Sequence, residues 1–302
     1  MSSTIVRLTE KGIAKPPKWL PDNTQYETIM GSFAYGVSAD TSDMDVYGFC
    51  IPPKEEIFPH LRGEIEGFGT QKQRFKQYQQ HHLKEPDALA GKGREYDVTI
   101  YNIVDYFQLV MKNNPNMIDS LFTPEMCVLH ITRIGQMVRD RRKIFLHKGA
   151  WHTFKGYAYQ QVTKMAGHQR TGKRKETVEK YGYDVKFAYH VVRLLNEVEQ
   201  ILTEGDLDLQ RNREQLKSIR RGEWSEQQIR DYFAKKESEL ETLYQQSSLP
   251  YGPDEKKIKQ LLLECLEEHY GSLEKCIVNP DEAITALREL ALVLEKYNRL
   301  WQ

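Results

Sequence analysis

Gly31-Ser32-Phe33-Ala34-Tyr35-Gly36-Val37-Ser38-Ala39-Asp40-Thr41-Ser42-Asp43-Met44-Asp45-Val46-Tyr47-Gly48 decides how the rest of this chain is read. Its second half continues to Ile51 with strand-like alternation and stops at Pro52-Pro53. Asp43 and Asp45 are two residues apart, so a strand through them points both carboxylates to one face. Two carboxylates that close repel unless a cation lies between them. Hard oxygen ligands together with nucleotide phosphates are how Mg²⁺ is usually held. Ahead of them, Tyr26 to Met30 reads as an apolar turn or helix that leads into Gly31-Ser32. A glycine there lets backbone approach phosphate, and the Ser32 hydroxyl and nearby amides can donate to a triphosphate. Ser32 as a plain helix N-cap, and Gly36 and Gly48 as plain turn glycines, are the simpler alternatives.

A second strand is expected at Tyr96-Asp97-Val98-Thr99-Ile100-Tyr101. It offers Asp97 as a third carboxylate, with Thr99 and Tyr101 on the same face. If the two strands are neighbours, Asp97 converges on Asp43 and Asp45, and three carboxylates can hold two metal ions. A surface ion pair of Asp97 with Arg94 is the bland alternative. The helix after it carries Ile103, Phe107, Val110 and Met111 on one face and stops at Asn113-Asn114-Pro115. Residues 61–95 are rich in Gly, Gln, Lys and His with little periodicity, and read as a long loop or a partly helical insertion. His81-His82 falls in it and reads as solvated, since adjacent histidines do not easily share one ion.

From about residue 131 the pattern is helical. Val185, Ala188, Val192, Leu195, Val198 and Ile201/Leu202 form one apolar stripe, Ser225 can cap a helix to about 245, and 254–270 and 280–300 are two more amphipathic stretches. The fold class expected is therefore α+β: a catalytic domain over 1–125 with a mixed sheet, then a helical domain over 126–302.

Lys+Arg and Asp+Glu both number 43, which excludes a supercharged nucleic-acid coat. The balance is uneven, however. Residues 1–132 hold 13 basic and 17 acidic side chains, 133–193 hold 15 and 4, and 194–302 hold 15 and 22. The basic middle block is a candidate phosphate-binding surface, or a solvated face paired by the acidic block after it. Within it, Arg170 with Lys173-Arg174-Lys175 could grip phosphate or be a plain loop. Tyr183, Lys186 and His190 lie at helical spacing and could face a triphosphate; a Lys186 surface pair with Asp184 or Glu179 and a core His190 are the alternative. Trp224, after Arg220-Arg221-Gly222-Glu223, could stack on a base or pack between helices. No apolar run approaches a membrane span, and residues 1–12 lack the apolar core of a signal peptide. Cys50, Cys127, Cys265 and Cys276 form no CxxC pair, so a cytoplasmic protein with reduced thiols is expected.

A Gly-Ser followed about ten residues later by DxD on a strand, with a later strand Asp, resembles the polymerase-β-type nucleotidyltransferases. Five blocks narrow the resemblance: Ser42–Gly48, Arg94–Tyr101, Asn114–Phe122, Gly182–His190 and Arg220–Trp224. In this order they resemble the RNA-repair-pathway polymerase-β-like (RlaP-type) family, over residues 30–225. The resemblance implies a palm-like sheet with a helical domain after it, and Mg²⁺-dependent transfer of NMP from an NTP with release of pyrophosphate. It implies RNA, with tRNA a candidate, as acceptor; the same chemistry on a protein hydroxyl or a small molecule is the alternative. Gly31, Ser32, Asp43, Asp45 and Asp97 match the superfamily positions one by one. Asp43, Asp45 and Asp97 are thus expected to be catalytic and to bind two Mg²⁺ ions. Gly31, Ser32, Lys186 and Tyr183 are the expected nucleotide-binding residues.

Overall fold

One mixed sheet organises the chain. Its strands are β1 (Thr24–Ile29), β2 (Met44–Cys50), β3 (Gln77–Glu85), β4 (Arg94–Asn102) and β5 (Val128–Ile131), in spatial order β3-β4-β2-β1-β5. The computed structural model describes residues 3–38, 43–165 and 173–276, with 290, 291, 293 and 294. Only β2 and β4 run parallel; the other neighbouring pairs are antiparallel. The sheet's two faces are sorted by alternation. Val46, Val98 and Ile100 pack on α1 (Thr4–Glu10) through Ile5 and Leu8. Tyr26 and Phe49 face the other way, into the helical layer.

That layer comprises α2 (Ile103–Met111), α3 (Pro115–Phe122), α4 (Arg133–Asp140), α5 (Ala150–Met165), α6 (Val185–Glu204), α7 (Arg213–Arg220), α8 (Glu226–Gln246) and α9 (Glu255–Tyr270). The helix ends follow from local chemistry. Asn102 and Asn114 accept backbone N–H bonds at the starts of α2 and α3. Asp184 caps α6, and Gly205 ends it in the left-handed region. Ser225 and Gln228 form a reciprocal capping box on α8. The buried stripe of α6, from Ala188 through Leu195 to Ile201, joins Phe49, Trp151 and Phe154 in one core. Truncating a ring such as Phe49 or Trp151 to Ala costs about 3–5 kcal/mol. The fold is α+β, as expected, and β5 extends the sheet to residue 131, past the expected division at 125/126.

Three local expectations are corrected. Residues 24–29 are not a turn or helix but β1, paired on both edges and buried throughout, which hides the alternation that marks a half-exposed strand. Glu27 is tolerated there because Ser3 Oγ and the backbone N–H groups of Thr4 and Ile5 donate to its carboxylate at the N-terminus of α1. Within 61–95, residues 77–85 are the edge strand β3 and not loop. Its Gln and Tyr residues are held by backbone pairing to β4, and His81 and His82 fall at a register shift, so no apolar period announces it. Gly48 is no turn glycine: it sits inside β2, where a Cβ would fall 2.0 Å from the Tyr26 carbonyl oxygen. The expected helix at 280–300 lies almost entirely outside the described residues.

Candidate active site

Asp45 and Asp97 are direct partners across the parallel β2–β4 pair. They share the sheet face of Tyr47, Thr99 and Tyr101, toward the helical layer. Both are half-buried. Burial raises the Asp45 carboxyl above its usual range, and the charge of Asp97 raises it further, while Lys186 pulls it back. Asp43 adds to the repulsion from just before β2; it is exposed and sits outside the strand, so strand alternation does not fix its direction. The same two acids, after burial and Tyr101, help push the Tyr47 hydroxyl up to about 12.

Gly31 closes on this edge. Its φ is +66°, and a Cβ there would lie 2.4 Å from Asp45 Oδ2. Only glycine combines that backbone conformation with that approach. Met30 N–H donates to the Asp45 carbonyl at 2.7 Å, tying the turn to β2. The turn continues with Tyr35 N to Gly31 O at 3.3 Å and Val37 N to Ser32 O at 2.9 Å. Ser32 is half-buried and its side chain has no hydrogen bond among the described residues. The hydroxyl is therefore not spent on capping.

The far side of the turn is bolted to the helices. Tyr35 OH donates to Asp119 Oδ2 of α3 at 2.8 Å. Arg193 of α6 donates to Asp119 and to Glu197, at 2.9 and 3.0 Å to the latter, and its guanidinium lies 4.3 Å from the Tyr35 ring centroid. Gln210 Nε2 donates to Ala34 O at 3.2 Å, and Arg220 to Val37 O. Burial pushes both Asp119 and Glu197 upward against the pull of Arg193. These contacts give the Asn114–Phe122 and Arg220–Trp224 blocks a positioning role that sequence reasoning did not find. A charged Asp at position 119, in the apolar run Met117 to Phe122, was the available signal.

Lys186 stands in the first turn of α6, exposed, and its charge acts on Asp45. The expected alternative, a pair with Asp184 or Glu179, is not what forms: Asp184 accepts from the Lys186 backbone N–H, and Glu179 pairs with Lys175. Tyr183 is not brought to the carboxylates. It is buried, and its hydroxyl donates to the Trp224 carbonyl. Trp224 packs edge-on to Tyr232 and donates to Ser218 Oγ, so it lies between helices rather than over the site. Arg170 and the side chains of Lys173 and Arg174 lie outside the described residues.

His81 and His82 are exposed, as expected, and they also touch the site. His82 N–H donates to Asp97 Oδ1 at 2.8 Å, and His81 Nδ1 lies 3.3 Å from Asp97 Oδ2. His82 reaches this position with φ +56°, at the register shift between Gln80 and Leu83. Its ring meets Glu95, whose hydrogen bond and charge raise its pKa.

Carboxylates in register beside a close-approaching glycine turn are the arrangement that holds a cation and phosphates together. Among the described residues no three His, Cys, Asp or Glu side chains already gather as a metal site. The hard-oxygen donors nevertheless fit one: Asp45 and Asp97 face each other, and their repulsion is only partly offset by Lys186. A model of the RNA repair pathway DNA polymerase beta family, RlaP, matches residues 13–264. The chain belongs to that family. As an RlaP-family protein it is a polymerase-β-type nucleotidyltransferase. The match spans the turn, all three acids and Lys186. No curated protein matches this chain. Among solved structures, a nucleotidyltransferase-like protein from Exiguobacterium sibiricum 255-15 covers 94% of this chain and 78% of its own at 10% identity, with a TM-score of 0.29. A likeness that loose carries no argument. No described helix is long and apolar enough to cross a membrane.

Proposed function

We propose that this RlaP-family enzyme transfers a nucleotidyl group from an NTP to the end of an RNA such as a tRNA, in the cytoplasm and with release of pyrophosphate. The observation that carries it is the facing of Asp45 and Asp97 under Gly31, with Lys186 at their edge. Asp43, Asp45 and Asp97 would hold Mg²⁺, two ions if all three engage. Such ions stabilise charge on the attacking and leaving oxygens. Gly31 and Ser32 offer backbone and hydroxyl donors to the β- and γ-phosphates. Lys186 offsets charge that builds on the leaving pyrophosphate. Asp97 takes the proton of the acceptor hydroxyl: His82 N–H holds Oδ1, and Oδ2, 3.3 Å from His81 Nδ1, is the oxygen that would accept it. The sheet with its acids acts as a catalytic unit, and the helices from about 126 onward as the unit that positions nucleotide and RNA.

The test is incorporation of labelled NTP into total RNA with Mg²⁺, wild type beside Asp43→Ala/Asp45→Ala. Label in RNA with wild type alone supports the reading. Label only in protein, or none, overturns it.

A further inference from the structure

A cavity of about 740 Å³ opens where residues 73–77 lead into β3, walled by Trp19, Glu56, Arg74, Phe75 and Lys76 among others. Its one acid, Glu56, is already bound by Arg62 at 2.6 Å. Arg74 and Lys76 are exposed, and neither has a salt bridge among the described residues. Lys76 also interacts with the charge of half-buried Asp105 in α2; together with Arg74 it makes the cavity an anion-attracting place with aromatic walls. Trp19 and Phe75 meet edge to face, ring centroids 4.8 Å apart at 81°. The segment is pinned: Asn102 N–H donates to Lys76 O at 2.7 Å, and Asn102 Nδ2 to Phe75 O at 3.1 Å. Its shape is therefore set before any ligand arrives.

β3 connects this cavity to the carboxylates. Gln77 lines the cavity, and His81 touches Asp97. Four residues of strand span about 13 Å, and a stacked nucleotide rises about 3.4 Å along its strand. Trp19 and Phe75 pack on the α1 side of the sheet, so a strand from the cavity crosses the β3 edge to reach the carboxylates, and the cavity is at least about four nucleotides from the reacting end. Between the two, Gln77 and Gln79 pair with Tyr101 and Thr99, which share the face of Asp97, and both amides are exposed.

We propose that the cavity holds one nucleotide of the acceptor RNA, at least about four from the end that reacts. Its base lies against Trp19 and Phe75, and flanking phosphates lie against Arg74 and Lys76. The proposal rests on the RNA-end reading above. It is tested by equilibrium binding of a labelled dinucleotide and a labelled 8-nucleotide single-stranded RNA to the whole protein, across a salt series. The double variant Arg74→Ala/Lys76→Ala should bind the 8-mer about 10-fold more weakly, and its log–log salt slope should fall by about 1.4, or two phosphates. Its affinity for the dinucleotide and for NTP should not change. Lys256→Ala/Lys259→Ala, an equal charge loss on the exposed face of α9, should leave all three ligands unaffected. An unchanged 8-mer affinity overturns the proposal. So does an equal loss from the α9 variant, which would mean bulk charge, or a parallel loss of NTP affinity, which would mean a free-nucleotide site. If wild type binds neither RNA, the RNA-end reading falls as well; if wild type binds the 8-mer and the double variant matches it, only the cavity proposal falls.

Discussion

On either side of the turn at 31–37, the fold sets two acids beside one cation, and it treats the two sets differently. On the inner side, Asp119 and Glu197 share Arg193, all three are buried, and Tyr35 adds its hydroxyl to Asp119. On the outer side, Asp45 and Asp97 face each other with exposed Lys186 acting only through its field, and Asp43 stands at the strand's start. The inner set is buried and its charges are paired through Arg193, although Asp119 Oδ1 and Arg193 Nε have no hydrogen-bond partner. The outer set is open, under-compensated, and roofed by a glycine that gives up its side chain to make room. The acids that hold the turn in place are paired with a cation inside the protein; the acids proposed to do chemistry are left short of positive charge, which a ligand would supply.

The widest gap between the two sets should appear on neutralising one acid in the outer set. Asp45→Asn or Asp97→Asn should lower nucleotidyl transfer about 10⁴-fold, close to 5 kcal/mol of barrier. The fold should not suffer. Asp45 is raised, so the folded state holds its proton more tightly than the unfolded chain does. Its contribution to stability is therefore lost as pH rises through the folded value, and near pH 7 the carboxylate burdens the metal-free fold. Asp45→Asn removes that burden, and calorimetry at pH 7 without metal should show a melting temperature no lower than wild type.

The inner set should behave in reverse. Arg193→Met leaves two buried acids without their cation and should cost about 3–5 kcal/mol of stability, with or without metal and NTP. Chemical denaturation measures it. A variant as stable as wild type would mean that the network does not bear on the fold.

Lys186→Ala probes the outer set from its cationic side. We expect a fall of about 10- to 100-fold in kcat/KM. Because Lys186 lowers the Asp45 pKa, the acid limb of the pH–rate profile should also move to higher pH in this variant. An unmoved limb would place Lys186 outside the field of Asp45.

A carboxylate outside both sets, Glu85, gives the smallest effect and a pH dependence opposite to that of Asp45. Burial would raise Glu85, yet hydrogen bonds from Arg7 and Lys11 and the Tyr96 hydroxyl hold it at about 2. Its contribution is therefore present above the unfolded value near 4.5 and lost as pH falls toward 2. Glu85→Gln should cost about 1–2 kcal/mol at pH 7, and the difference from wild type should close in acid denaturation scans.

The sequence carried the outer set well and the inner set poorly, for a physical reason. Asp43, Asp45 and Asp97 announce themselves because acids in an apolar alternating stretch need an explanation, and Gly31-Ser32 lies close by in sequence. Val46, Tyr96, Val98 and Ile100 also made β2 and β4 legible. Asp119, Arg193 and Glu197 come together only through the packing of α3 on α6, across a separation of 74 residues that no local pattern encodes. β1 was misread because it is buried on both faces, and β3 because it is polar and held by backbone. Missing β3 hid not the exposure of His81 and His82 but their contacts with Asp97, which depend on a strand that composition alone presents as loop. Tyr183 erred the other way: helical spacing placed it beside Lys186, but its own hydroxyl is committed to the Trp224 carbonyl.

The most direct test of the contrast uses one preparation of Asp45→Asn, measured twice beside wild type: thermal unfolding without metal, and transfer of labelled nucleotide to RNA with Mg²⁺. The account predicts a melting temperature equal to or above wild type and transfer reduced to background. Transfer near the wild-type rate, or a fold that melts well below wild type, would show that Asp45 belongs with the structural acids and would contradict it.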